Sequence, residues 1–153
     1  MQPMQLFVDT HYASPYALSV FVALCEKKRP FEVATIDLSG GEHHRPEYAK
    51  LSLTHRVPTL VDGEFSLSES SAITEYLHET YPGPALYPAD AKARARARQV
   101  QAWLRSDLTS IRSERSTVVL FYGPSTTPLS IDAQAAVEKL FTVADALLAH
   151  GKS

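Results

Sequence analysis

The chain has 153 residues, 44% of them hydrophobic, and a formal net charge of -2. That length gives one ordinary domain or two small ones with a buried core, and so small a charge excludes a global basic field for nucleic acid or anionic lipid. Cys25 is the only cysteine, which excludes an internal disulfide and a cysteine-rich metal site and fits a reducing compartment.

The first residues, Met1 to Gln5, lack the basic-then-apolar pattern of a signal peptide. No apolar run approaches the ~20 residues of a membrane span. The expectation is a cytoplasmic protein without membrane or nucleic-acid partners. Met4 to Val8 reads as a first strand and Asp9 to Ala13 as a loop. Ser14-Pro15 marks a helix start, because serine is a favoured N-cap and proline suits the first helical position. The helix, through Lys28, is apolar almost all round, which predicts burial on more than one side. Cys25 falls with Leu18, Phe21 and Val22 and reads as a small core residue. The terminal lysines suit the negative end of the helix dipole, and Arg29-Pro30 ends it.

Phe31 to Asp37 alternates apolar and polar residues and reads as a second strand, parallel to the first through a right-handed crossover. After the Ser39-Gly40-Gly41 loop come Glu42-His43-His44-Arg45 and a short helix from Pro46. Adjacent residues such as His43 and His44 rarely point together, so a shared metal site is not expected. Thr59-Leu60-Val61 is a third strand, Asp62-Gly63 a hairpin turn, and Phe65 to Ser68 a fourth strand. Ser68 to Ser71 then opens a helix. Pro58 follows Val57 at the kind of bond that goes cis at low cost. A cis bond there turns the Val57 backbone outward, where an extended peptide can pair with it. The helix start offers free N–H groups to a carboxylate, and Glu69 beside it suits an ammonium. Together they fit the amino-acid end of a ligand, against the plainer reading of a hairpin and a serine-capped helix.

Strand, helix, strand, helix, strand, strand, helix is the order of a thioredoxin-like domain with a mixed four-stranded sheet, residues 1–81. Residues 82–89 are linker by composition. From residue 90 the chain reads as all-helical: Asp90 caps a long helix with a stripe of Val100, Trp103, Leu104, Leu108 and Ile111. Ser130 caps another, with Gly151 placed like a terminating residue. Lys92, Arg94, Arg96 and Arg98 do not form one stripe on a helix and read as a solvated face. Asp107 reads as a contact at a domain or subunit boundary or as a reach toward a ligand across a dimer. Phe121 and Tyr122 line a pocket or fill a core.

Ala13-Ser14-Pro15-Tyr16, Gly41-Glu42-His43, Arg56-Val57-Pro58 and Glu69-Ser70-Ser71-Ala72-Ile73, in this order and spacing, resemble the serine-type glutathione transferases. The run from Arg94 to Arg105 is particularly similar to the bacterial YfcF branch. The resemblance covers the whole chain and implies a partial helical C-terminal domain over 90–153, since full-length members continue through several more helices. It implies that Ser14 donates a hydrogen bond to the glutathione sulfur. Val57 then pairs with the cysteinyl part, Glu69 and Ser70 hold the γ-glutamyl end, and His43 faces the glycine carboxylate, with His44 and Arg56 as further candidates. Glutathione is then the co-substrate, no metal is required, and a homodimer is expected. The reaction is conjugation to an electrophile or reduction of a peroxide or disulfide. The rival reading is a non-catalytic binding or regulatory protein on the same fold. Ser14 and the two histidines also have duller readings, as an N-cap and as surface loop residues.

Overall fold

The computed structural model describes residues 3–149. The chain divides into two compact units, Met1–Arg94 and Ala95–Ser153. The first holds β1 (Met4–Asp9), α1 (Pro15–Glu26), β2 (Phe31–Ile36), a 3-10 turn (Glu42–His44), α2 (Pro46–Ala49), β3 (Thr59–Asp62), β4 (Phe65–Ser68) and α3 (Ser70–Thr80). The sheet order is β2-β1-β3-β4. β1 and β2 are parallel, with α1 as the crossover, whereas β3 runs antiparallel to both β1 and β4. This is the expected thioredoxin-like arrangement.

Alternation along β1 builds two faces. Met4, Leu6 and Val8 are buried in one core with Val20 and Leu24 of α1, Leu60 of β3, and Ile73 and Leu77 of α3. Phe7 points the other way and meets the Tyr48 ring of α2 edge-on at 5.6 Å. Each fully buried Leu, Ile or Val contributes about 1.5–3 kcal/mol, so this cluster is the main source of the unit's stability.

α1 is not buried on more than one side. Ala17, Val20, Ala23 and Leu24 are buried, while Leu18, Phe21 and Val22 are exposed. Cys25 is exposed as well, not a core residue. Helical spacing sends the first set toward the sheet core and α3, while half-exposed Phe21 meets Phe31 of β2 edge-on at 5.3 Å. Lys27 also departs from expectation. It is buried, and its Nζ donates to the carbonyls of Tyr81 (2.8 Å) and His78 (3.4 Å), closing the end of α3 with a positive charge.

The remaining helices are α4 (Ala91–Ser106), α5 (Thr109–Glu114), α6 (Thr117–Tyr122) and α7 (Ile131–Ala149). Asp90 accepts the Ala93 N–H at 2.8 Å and Ser130 accepts the Ala133 N–H at 3.2 Å, so both caps stand where the sequence put them. The long stripe through Ile111 is broken, however. Arg112 folds back to the carbonyls of Leu104 (2.6 Å) and Arg105 (2.5 Å), satisfying the end of α4 and letting α5 start anew. α6, capped by Ser116, was not anticipated. Gly151 lies outside the described residues. Among those residues no helix is long and apolar enough to cross a membrane.

Candidate functional site

β1, β2 and β4 run toward one end of the sheet, and β3 leaves from it. The register makes this concrete: Asp9 pairs with Ile36, Phe7 with Thr59, and Thr59 with Ser68. Four connections therefore open at that end: those after β1 and β2, the one before β3, and the turn from β4 into α3. Ser14, His43, Arg56 and Val57, and Glu69 with Ser70, lie on these four connections in turn. Tyr12 (φ 53°), His55 (φ 52°) and Glu69 (φ 75°) add left-handed backbone at the same end, unusual for residues with a Cβ.

Ser14 is the N-cap of α1, and its Oγ accepts the Ala17 N–H at 3.2 Å. Its own N–H donates to Asp9 Oδ1 at 2.9 Å, and the Ala13 N–H donates to Asp9 Oδ2 at 2.9 Å. The buried Asp9 carboxylate thus fixes both residues leading into the helix. Because the cap uses a hydroxyl lone pair, the Ser14 hydrogen remains available to donate. Sequence reasoning passed over Asp9, although an acid at the end of a strand just before Ser-Pro was a usable signal.

The Val57–Pro58 bond is cis. Val57 precedes the β3 ladder, and neither its N–H nor its C=O is taken up by a turn, cap or side chain among the described residues. The loop before it is held by a cluster that the sequence did not reveal. The Arg56 carbonyl accepts from Tyr48 Oη (2.6 Å), Thr59 Oγ1 (3.0 Å) and Ser52 Oγ (3.2 Å), and the Arg56 N–H donates to Ser52 Oγ at 3.3 Å. Burial pushes the Tyr48 phenol above the ordinary tyrosine value, against the pull of its Thr59 and Ser52 hydrogen bonds. The Arg56 side chain is exposed.

Ser68 is the last residue of β4 and does not cap α3. The N-cap position belongs to Glu69, without a side-chain cap bond, and its carbonyl accepts the Ile73 N–H at 2.9 Å. Ser70, the first helical residue, is buried. The positive-φ Glu69 places an acidic residue at the start of α3, where the positive end of the helix dipole lies.

His43 and His44 do point together, contrary to the usual geometry of neighbours. The 3-10 turn brings their rings to 3.9 Å, and His44 lies 5.9 Å from His55. Burial, then the charges of His44, His55 and Arg56, hold the His43 imidazole below its ordinary value. Among the described residues no group of three or more His, Cys, Asp or Glu is placed to hold a metal ion. A cavity of about 250 Å³ opens beside Ser14, lined by Val8, Tyr12, Ala17, Leu18, Phe21 and Val33.

This end of the sheet therefore combines a hydroxyl donor at a helix start, a backbone edge at Val57, an acidic residue at a second helix start, and a histidine loop beside Arg56. Residues 10–85 match the glutathione S-transferase N-terminal domain and residues 90–153 the C-terminal domain. A crystal structure of a glutathione transferase homolog from Burkholderia, with bound glutathione, is 42% identical and has a TM-score of 0.75. The alignment covers 96% of this chain and 69% of that one. A delta-class glutathione transferase from Nilaparvata lugens is 31% identical with a TM-score of 0.77, over 95% of this chain and 67% of that one. A probable maleylacetoacetate isomerase from Vibrio cholerae is 35% identical over 73% of this chain and 53% of its own length. The human glutathione S-transferase theta-2 is 37% identical over 65% of this chain and 41% of its own length. The chain belongs to the glutathione transferase family. It spans about half the length of the curated relatives it matches.

Proposed function

We propose that the protein binds glutathione across these four connections and activates its thiol, as a serine-type glutathione transferase of the YfcF branch. The observation that carries the reading is Ser14. It caps α1 with a lone pair, is fixed through its N–H by buried Asp9, and retains a hydroxyl hydrogen for a sulfur anion. A free thiol has a pKa of about 8.5, and the thiolate is the nucleophile. A hydroxyl donor and the N-terminal end of α1 both favour the anion, so the bound thiol loses its proton to solvent more readily at neutral pH. Ser14 acts as donor, not as nucleophile.

In this reading the cysteinyl part pairs with the Val57 backbone. Glu69 takes the γ-glutamyl ammonium, and Ser70 with the first turn of α3 takes its carboxylate. His43 and Arg56 face the glycine carboxylate. The thiolate then attacks an electrophile, or reduces a peroxide or disulfide. Residues 1–81 form the glutathione-binding domain, 82–89 the linker, and 90–153 belong to the helical domain of a cytoplasmic homodimer.

Calorimetric titration with glutathione tests the assignment. Glu69→Ala and Ser70→Ala each remove a charge-assisted contact worth about 1.5–3 kcal/mol, so affinity falls roughly tenfold or more. Unchanged affinity in both folded variants removes the γ-glutamyl site.

A further inference from the structure

His43 and His44 from one loop and His55 from another lie together, with ring centroids 3.9 Å apart for His43–His44 and 5.9 Å for His44–His55. His43 Nδ1 is buried and has no hydrogen-bond partner. The surrounding charges are unequally available. On the turn, the Glu42 carboxylate is already engaged: Oε2 accepts the Asp37 N–H at 2.8 Å and Oε1 faces Arg45 at 3.4 Å. Asp37 in turn holds the Gly40 N–H at 2.8 Å. From the loop before β3 come His55 and Arg56, both potential cations. The charges acting on His43 are thus those of His44, His55 and Arg56, all positive when ionised.

We propose that His43, His44 and His55 act together as a proton-coupled receptor for the carboxylate at the glycine end of glutathione, each bound peptide drawing a proton from solvent onto the cluster. This rests on the reading that glutathione lies at this end of the sheet with that carboxylate toward His43. His44 and His55 enter as positioning residues that set the charge of His43.

Burial opposes charging His43, and neighbouring imidazoles this close repel it further when protonated. Without a ligand, His43 therefore sits below the ordinary histidine value and is mostly neutral near pH 7. A carboxylate brought against the cluster reverses the balance and raises the histidine value in the complex. The complex then holds more protons than the free protein. Affinity accordingly rises as pH falls from the complexed value to the free value, and levels off below the free value.

S-methylglutathione is the appropriate probe, because its thioether cannot ionise and the proton count then excludes the thiol. Calorimetry from about pH 5.5 to 8, in two buffers of different ionisation enthalpy, reads the proton uptake directly. The expected result is uptake of up to one proton and a Kd that weakens with rising pH, by at most about tenfold per unit. His43→Gln abolishes the uptake. His55→Asn, which keeps a residue tolerant of left-handed backbone, removes one of the rings that oppose charging of His43 and moves the window to higher pH. Histidine ring resonances in the wild type, with and without ligand, give a second measurement that needs no variant. At least one must titrate at higher pH in the complex. Binding with no proton uptake and a pH-independent Kd overturns the inference and leaves the glutathione site standing. Uptake that persists in folded His43→Gln overturns it too. Absence of S-methylglutathione binding at every pH overturns both the inference and the site.

Discussion

The Asp9 carboxylate, buried at the end of β1, accepts the N–H of Ser14 at 2.9 Å and thereby sets where the Ser14 hydroxyl stands. Asp9 also holds the Ala13 N–H, so both carboxylate oxygens face donors. Asp9→Asn keeps the shape but turns an NH2 group toward one of those donors. The lost charge-assisted bond and the facing donors together cost about 2–3 kcal/mol of folding stability. Urea denaturation measures that loss. Glutathione affinity should fall with it even at temperatures where the variant is fully folded, because the entry to α1 shifts. A variant as stable as the wild type would show that Asp9 does not anchor Ser14.

Three tyrosines make the fold sensitive to alkali. Burial raises the phenols of Tyr48, Tyr76 and Tyr81 above the ordinary value, and hydrogen bonds to Asp62 raise the latter two further. Each is a group whose folded value exceeds its unfolded value. The stability it contributes is whole below the unfolded value of about 10 and is lost as pH rises through the folded one. Thermal midpoints should therefore hold to about pH 9.5 and then fall. Tyr48→Phe costs about 1–2 kcal/mol at neutral pH, since the Arg56 carbonyl loses its 2.6 Å donor. It should also flatten the alkaline fall. Identical alkaline limbs in the variant and the wild type would refute this account.

The second unit should respond to acid through Asp107. Its carboxylate accepts from Trp103 Nε1 at 2.8 Å and from Lys139, joining the end of α4 to α7. The Lys139 contact first, then Trp103, hold its carboxyl below the ordinary value. For a depressed folded value the stability is present above the unfolded value of about 3.9 and is lost as pH falls through the folded one. Trp103 is the only tryptophan, so its fluorescence reports this contact directly. Asp107→Asn should alter the emission at neutral pH and remove the corresponding acid step. An unchanged acid titration of the fluorescence would break the link.

What could be read from the sequence was local. Ser14, Asp90 and Ser130 announce helix starts because a cap and its amide lie three residues apart. The strand order follows from alternation and turn residues. That four connections share one end of the sheet then follows from the crossover and the hairpin. What could not be read depends on partners brought together by folding. Ser52 and Thr59 meet Tyr48 at the Arg56 carbonyl only once α2 has packed on the sheet. Lys27 reaches α3 only because α1 and α3 pack together, and its position in the sequence argued for the end of α1 instead. The break between α4 and α5 was hidden because an apolar stripe at helical spacing continues through it. The fold-back of Arg112 has no periodic signature.

Ser14 separates an enzyme from a binding module. If its hydroxyl stabilises the thiolate, Ser14→Ala should raise the pKa of bound glutathione while weakening binding less, because the γ-glutamyl and glycine anchors remain. The same change removes the acceptor of the Ala17 N–H, which typically costs about 1 kcal/mol as a lost N-cap, so stability must be measured beside it. Ser14→Thr keeps a hydroxyl and much of the cap and serves as the control. Thiolate absorbance of bound glutathione, titrated against pH in all three proteins, reads the donor effect apart from folding. Turnover of a reactive electrophile should be followed in the same samples and in a protein extended to the length of its relatives. The expected pattern is a lower thiolate fraction and lower turnover in the Ala variant, with Thr between it and the wild type. A wild type that binds glutathione with an ordinary thiol pKa, and a Ser14→Ala variant changed only in stability, would make Ser14 a cap and the protein a glutathione-binding module.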